Sequence, residues 1–290
     1  MILVLLTGCY GDLSNGIFIE DAKFLAALPS TDAFAFQLPE GSGGADELAG
    51  SREVTVATMD QVGAFLDEVV GGTAVVTEVP PSERGEDFRV WGPRAWDAYL
   101  GSYLRMEMSR TSDGTLYTFA YQASDTSSGP WEEFTGGTWE PEPSTGWQGQ
   151  LVFDYDRLAS VTGSDEQGVI IAHWDERDLP MVEVEVDAIL SGNEERFQSR
   201  LRVEDDGAGR FDFIESERVG DRNDEPLVFV SRWDATGLGR TDGVFEGVEF
   251  SECWAVDGSQ TWRATYGEGG TEGGDPDLCP YDDVAQPGEL

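Results

Sequence analysis

The chain has 290 residues, enough to bury a sizeable core, and 39% of them are hydrophobic, with 9 Trp, 8 Tyr and 15 Phe. This aromatic content excludes an intrinsically disordered protein. The net charge of −39, from 57 acidic against 18 basic residues, excludes nucleic acids as partners because their phosphates would be repelled.

The chain begins with an apolar run over residues 1–5, followed by Leu6-Thr7-Gly8-Cys9. This segment resembles the lipobox of bacterial lipoproteins, in which an aliphatic and two small residues precede a cysteine. The resemblance implies cleavage before Cys9, which then carries acyl chains and anchors the protein in the cell envelope. Residues 1–8 are then the leader, and we expect it to be incomplete because it is short and lacks a basic residue. Tyr10 follows the cysteine instead of aspartate, which by resemblance favours the outer membrane if the cell has one.

The part of the chain before residue 99 is predicted to be a tether followed by a small α+β unit. The tether covers residues 9–16 and the unit covers residues 17–98. Its predicted elements, in chain order, are a helix over 21–28, strands over 33–38 and 53–57, a helix over 58–70 and a strand over 73–79. Val62, Phe65 and Leu66 fall at helical spacing in the second helix, which we expect to cover the sheet.

Residues 99–266 alternate in hydrophobicity between turn residues, which predicts a long antiparallel β-meander. The predicted strands are 101–110, 115–123, 131–139, 147–154, 167–174, 180–189, 195–204, 209–218, 226–234, 243–250 and 260–266. Residues 156–159 are predicted to form a helical turn, and Gly136-Gly137 a tight turn. The fold class is therefore mainly β, with the meander forming a half-barrel, a barrel or a curved sheet.

The hairpin over 181–203 has one dry and one charged face. A turn at Gly192-Asn193 predicts that Glu185 faces Arg200 and that Glu183 faces Arg202. Such cross-strand ion pairs contribute at most about 1 kcal/mol each but specify the register of the strands.

The three cysteines are predicted to have two roles, one as the site of lipid attachment and two as a disulfide pair. With Cys9 assigned to the lipid, Cys253 and Cys279 remain, and in an exported chain we expect a disulfide between them. This bond would tie the Gly- and acid-rich tail, residues 267–290, back onto the last strands of what we expect to be one globular domain.

No catalytic or metal-binding motif is evident, and we predict no cofactor. The single histidine, His173, alternates with apolar residues of a predicted strand, which is typical of a structural role, and zinc sites need more His or Cys ligands than remain. Acidic pairs such as Asp154 with Asp156, Asp205-Asp206 and Asp282-Asp283 leave calcium as an alternative, although none matches a calcium-binding repeat.

Trp-Asp occurs at 96–97, 174–175 and 233–234, which is too widely and unevenly spaced for propeller blades. We interpret each Trp as the end of a strand and each Asp as the start of a turn. Five tryptophans on or beside predicted strands are candidates for a ligand-binding aromatic face: Trp131, Trp139, Trp147, Trp174 and Trp233.

The predicted architecture is similar to the open half-barrels that shield acyl chains in lipoprotein carriers. Our leading hypothesis is therefore non-catalytic binding of an apolar ligand on the concave aromatic face. The first alternative is a structural or surface-interaction lipoprotein with a solid core and an acidic exterior. The second alternative is a hydrolase that uses a pair of carboxylates.

Overall fold

One antiparallel β-sheet dominates the chain. The computed structural model describes residues 16–28, 38–39, 49–77, 79–97, 99–142, 146–177, 180–190, 192–204, 206–215 and 227–286. Within these ranges the helices are α1 (Gly16–Ala26), α2 (Gly50–Thr77), α3 (Tyr155–Thr162) and a short 3-10 helix (Pro276–Leu278). The strands are β1 (Glu83–Arg84), β2 (Phe88–Ala95), β3 (Tyr103–Arg110), β4 (Tyr117–Ser124), β5 (Glu132–Glu142), β6 (Gly146–Asp154), β7 (Gln167–Asp175), β8 (Met181–Leu190), β9 (Asn193–Val203), β10 (Gly209–Glu215), β11 (Val228–Trp233), β12 (Gly239–Phe245), β13 (Val248–Trp254), β14 (Gln260–Thr265) and β15 (Glu272–Gly274).

The sheet is an uninterrupted meander. Each strand pairs antiparallel with the next one along the chain, so that β1 and β15 lie at the two ends of an open, curved sheet. The prediction of a mainly β fold with an antiparallel meander and a covering helix is thus confirmed. Every predicted strand between residues 101 and 234 corresponds to one observed strand, and the predicted turn at 156–159 is α3.

Two predictions about glycine-containing turns are wrong: one turn is missed inside a predicted strand, and one predicted turn lies inside an observed strand. The strand predicted over 243–250 is the junction of β12 and β13, because Glu246 and Gly247 both have positive φ, 49° and 71°, as a tight hairpin turn requires. Conversely, Gly136-Gly137 lies inside β5 and forms no turn. A Cβ at Gly137 would lie 2.6 Å from the ring of Phe119 on β4, so this glycine admits an aromatic ring from the neighbouring strand.

The strands predicted over 53–57 and 73–79 are also wrong, because α2 runs without interruption from Gly50 to Thr77. Their β-branched residues favour strands locally, but the helix is specified by what it packs against. Buried side chains recur at helical spacing along its first half and face the sheet: Ser51, Thr55, Met59, Val62 and Leu66. The predicted strand 33–38, apart from Leu38, lies outside the described residues.

α2 crosses the concave face of the sheet, which we call the inner face. Near its start, the hydroxyl groups of Thr55 and Ser231 on β11 are 2.6 Å apart. Farther along, the rings of Phe65 and Phe197 on β9 lie 5.6 Å apart. A helix of 28 residues is about 42 Å long, so it spans many strands of the meander. The inner face and this helix therefore share one hydrophobic core.

α1 is held against the β2–β4 end of the inner face by charge and aromatic contacts. Asp21 is buried and accepts hydrogen bonds from the Nε atoms of Arg89 at 2.6 Å and Arg84 at 3.1 Å. The Arg89 guanidinium also lies 4.6 Å above the ring of Phe24, which packs edge-on against Tyr117. The buried carboxylate is therefore paired, as burial of a charge requires.

The chain segment after β15 covers the outer face of β11–β13. Cys253 and Cys279 are joined as predicted, with their Cα atoms 5.5 Å apart. Asp242, 1% exposed, accepts hydrogen bonds from Arg240 Nε at 2.8 Å and from the Ala285 backbone N–H at 2.9 Å. Arg240 also donates to the Tyr281 carbonyl oxygen at 2.7 Å. A disulfide and a buried ionic network thus hold this segment together.

The register of the β8–β9 hairpin differs from the prediction by two residues. Glu183 pairs with Arg200, and Asp187 forms an ion pair with Arg196 at 2.9 Å. The observed turn begins after Leu190, earlier than the predicted Gly192-Asn193 turn. The alternation of dry and charged faces is the same in both registers, because a shift of two residues preserves it.

Candidate ligand-binding groove

The predicted ligand-binding tryptophans lie in several different environments. Trp139 and Trp174 are each 3% exposed, with their rings 4.7 Å apart, and Trp233 is 1% exposed. Trp131 is half-buried, with the Arg105 guanidinium 5.2 Å from its ring centre. Trp147 lies on β6, but its side chain is outside the described part of the chain. A ligand-binding role for these five residues stays a prediction.

Three tryptophans share a packing arrangement that the sequence analysis did not find. Each indole lies over a glycine directly opposite on the neighbouring strand, and a Cβ on that glycine would overlap the ring. The pairs are Trp174 with Gly149, Trp233 with Gly209, and Trp254 with Gly239. Cross-strand aromatic–glycine packing compensates for the missing side chain of the glycine. The signal in the sequence is a tryptophan at or next to the end of one strand and a glycine at the start or in the middle of the neighbouring strand.

The interpretation of the Trp-Asp dipeptides holds only in part, because β2 ends at Ala95, before Trp96, and β7 extends past Trp174. β7 ends at Asp175, whose carboxylate accepts the Arg177 backbone N–H at 3.0 Å. β11 ends at Trp233, and the next residue, Asp234, accepts the backbone N–H of Thr236 at 2.8 Å. The hydrogen bonds that Arg177 donates hold the pKa of Asp175 below its usual value. In both cases the aspartate begins a turn.

An apolar groove lies between the first turns of α2 and the inner face of β11–β14. Its volume is about 200 Å³. Its apolar lining consists of Val54, Leu227, Phe229, Phe245, Val248 and Phe250. Val54, Phe245 and Val248 remain 42%, 53% and 45% exposed, whereas most large apolar residues of the inner face are buried. The groove thus exposes apolar side chains at the edge of the core to solvent.

The other end of the groove is polar. It is formed by Ser51 on α2, Glu252 on β13 and Arg263 on β14, which lies opposite Glu252 in the strand register. Glu252 is 3% exposed, and its Oε2 accepts the backbone N–H of Ser51 at 2.6 Å. Thr241 and Thr265 add hydroxyl groups to the lining. The groove therefore offers an apolar surface at one end and charged or hydroxyl groups at the other.

The start of α2 positions this groove, and Glu252 specifies where the helix starts. The first backbone N–H groups of a helix lack intrahelical partners, and a carboxylate that accepts one of them replaces an N-cap side chain. The backbone N–H of Ala49 donates to the Gly258 carbonyl oxygen at 2.9 Å, which fixes the approach of the chain to the same hairpin. The cap comes from a residue 201 positions away, so no local pattern reveals it.

A second and larger groove, of about 760 Å³, lies on the outer face of β1–β6. Its floor follows one register row in which Glu107 lies between small residues: Val90, Ala120, Gly136 and Val152. Acidic residues border it, including Glu107, Glu133 and Asp154, together with Arg157. The charged residues of this groove are predominantly negative.

His173 points to the outer face of β7, where it is exposed and lies opposite Glu183. It borders an open groove of about 370 Å³ that also includes Trp174. In the part of the chain that the structure describes, no three His, Cys, Asp or Glu side chains come together as metal ligands do. The carboxyl groups whose pKa is displaced, Glu20, Asp113, Asp175, Asp257 and Asp283, all have it lowered by hydrogen bonds.

The predicted lipobox, including Cys9, lies outside the described residues. Among the helices that are described, none is both long and apolar enough to cross a membrane. The comparisons with known proteins add no identity, because no protein-family model, no curated protein and no solved structure matches the chain. The candidate site therefore rests on its geometry.

Proposed function

We propose that the protein binds a small apolar ligand, without catalysis, in the groove between α2 and strands β11–β14. The observation that carries this proposal is the exposure of Val54, Phe245 and Val248 around one concave apolar surface. Ligand sites are typically concave and apolar with a few polar groups, and this groove has both. The proposed function is the one predicted from the sequence, and the proposed binding site is the groove beside the start of α2.

The size of the groove limits the ligand. A cavity of about 150 Å³ accommodates a benzene-sized molecule, and this groove measures about 200 Å³. It is smaller than the range of about 300–1,000 Å³ that is typical for drug-sized ligands. The ligand is therefore a molecule with one ring or a short alkyl chain, or the end of a longer apolar chain.

Titration with 1-hexanol tests this function directly. We expect NMR signals of the Val54 and Val248 methyl groups to shift in a saturable manner, because these side chains line the groove. Val54→Trp fills the groove and should abolish the shifts. Ile189→Trp, a matched control at another exposed apolar residue, should leave them unchanged. If the groove signals do not move, or both variants behave alike, the proposal is wrong.

The surface-interaction alternative is supported by a different observation, the large acidic groove on β1–β6. Its opening and its carboxylates suit a cationic partner better than an apolar ligand. Replacement of Glu107 and Glu133 by Gln would weaken binding of a lysine-rich peptide under this alternative. The same replacements would leave 1-hexanol binding unchanged.

We also propose that Cys9 carries acyl chains that anchor the protein in the cell envelope, with the outer membrane favoured. The support is the resemblance of Leu6-Thr7-Gly8-Cys9 to a lipobox. Mass spectrometry of the N-terminal peptide from the native host tests the proposal. We expect an acylated Cys9, and a mature protein that retains Met1 would contradict it.

A further inference from the structure

Arg263 is a cation in the lining of the apolar groove. The chain has 18 basic residues against 57 acidic ones, so carboxylates are plentiful, and the other arginines of the inner face, such as Arg89 and Arg110, form ion pairs. The Arg263 guanidinium makes no ion pair or side-chain hydrogen bond within the described part of the chain, and it lines the polar end of the apolar groove. It is exposed and free to meet a ligand.

Ser51 provides a second, independent feature at the same end of the groove. The residue is 7% exposed, and its Oγ is buried without a hydrogen-bond partner in the structure. A buried hydroxyl without a partner costs about 1–3 kcal/mol, so such groups normally have one. Ser51 also lines the groove, and a ligand that enters deeply enough to reach this buried hydroxyl would provide the missing acceptor.

The charges that face this end of the groove are Arg263, Glu252 and the N-terminus of α2. Glu252 is negative, but its carboxylate is already hydrogen-bonded to the backbone N–H of Ser51. The partial positive charge at a helix N-terminus offsets part of a carboxylate placed there. The guanidinium of Arg263 and the N-terminus of α2 together outweigh the single carboxylate of Glu252, which favours an anion.

We propose that the groove selects a monocarboxylate with a short alkyl chain or a single ring. This inference rests on the proposed function and specifies its ligand class. The alkyl chain lies against Val54, Phe245 and Val248, the carboxylate pairs with Arg263, and Ser51 Oγ donates a hydrogen bond to the same carboxylate. Arginine and carboxylate form strong charge-assisted hydrogen bonds, which makes this end of the groove the determinant of specificity.

Hexanoate and 1-hexanol, which share a chain length but differ in the head group, provide the test by calorimetric or NMR titration. We expect hexanoate to bind more tightly than 1-hexanol. Arg263→Gln should weaken hexanoate at least about tenfold, because a charge-assisted hydrogen bond contributes that much, and should leave 1-hexanol unchanged. Arg263→Lys should restore part of the affinity, since it keeps the charge. Ser51→Ala should weaken hexanoate by a few-fold without removing the backbone hydrogen bond to Glu252.

Arg202→Gln is the matched control, because Arg202 is also exposed but lies on the outer face of β9. It should not change hexanoate binding. If hexanoate and 1-hexanol bind equally well and Arg263→Gln affects neither, the carboxylate inference is overturned while the groove remains an apolar site. If neither compound binds, both the inference and the proposed function are overturned.

Discussion

Replacement of Gly239 by alanine tests the packing of tryptophan over glycine that recurs in the sheet. A Cβ at position 239 would lie 2.7 Å from Nε1 of Trp254 and closer still to two carbons of the same ring. Carbon atoms pack at about 3.5 Å or more and the nearest ring carbon would be 2.1 Å away, so the ring would have to move by about 1.4 Å. Trp254 is fully buried, and its Nε1 donates to the Gly237 carbonyl oxygen at 3.1 Å, so it has no space to move without loss.

The expected cost follows from these contacts. Overpacking of a core costs about 1–3 kcal/mol, and a weakened buried hydrogen bond adds about 1 kcal/mol. Alanine also lowers the conformational entropy of the unfolded chain, which offsets about 0.4–1 kcal/mol of this destabilisation. We therefore expect Gly239→Ala to lower the free energy of unfolding by about 2 kcal/mol, measured by urea denaturation with circular dichroism.

Two controls separate this clash from a general effect of glycine replacement. Gly273 on β15 has no atom within 4 Å of a built Cβ, so Gly273→Ala should not destabilise the protein. In a Trp254→Leu background, Gly239→Ala should cost little, because the ring that it would displace is gone. Equal urea midpoints for Gly239→Ala and Gly273→Ala would refute the clash with Trp254.

Three further predictions concern the disulfide, α2 and the acid response. Replacement of Cys253 and Cys279 by Ser should lower the free energy of unfolding by about 3–4 kcal/mol, because the loop they close spans 26 positions; equal urea midpoints would contradict it. Gly63→Ala in α2 meets no atom within 4 Å and should raise that free energy by about 0.4–1 kcal/mol in the same assay. The hydrogen bond from Arg232 holds the pKa of Asp283 below its ordinary 3.8, so its stabilisation is present above about pH 4 and is lost as the pH falls through the lowered pKa. Asp283→Asn should therefore have a lower urea midpoint than the wild type at about pH 6 and a smaller difference at about pH 2.5, and a difference that does not narrow in acid would refute this assignment.

The candidate groove could not be read from the sequence, for a physical reason. Its lining comes from α2 and from four strands near the end of the chain, and its polar end joins Ser51 to Glu252, 201 positions away. Tryptophan content predicts an aromatic binding face, and a ligand-binding role stays a prediction for Trp139, Trp174 and Trp233, which are buried against other rings or glycines. Aromatic residues are attractive both to ligands and to a core, and only packing distinguishes the two roles.

The sequence by itself determined the β-meander and the Cys253–Cys279 disulfide, because alternation, turn residues and the number of cysteines can be read without the fold. Tertiary structure alone decided that residues 53–57 and 73–77 are helical, since α2 is stabilised by the inner face of the sheet and by the Glu252 cap. It also decided the register of the β8–β9 hairpin, because a shift of two residues leaves the alternation of dry and charged faces unchanged. Local preference and long-range packing conflict at these places, and the burial of apolar surface decides the outcome.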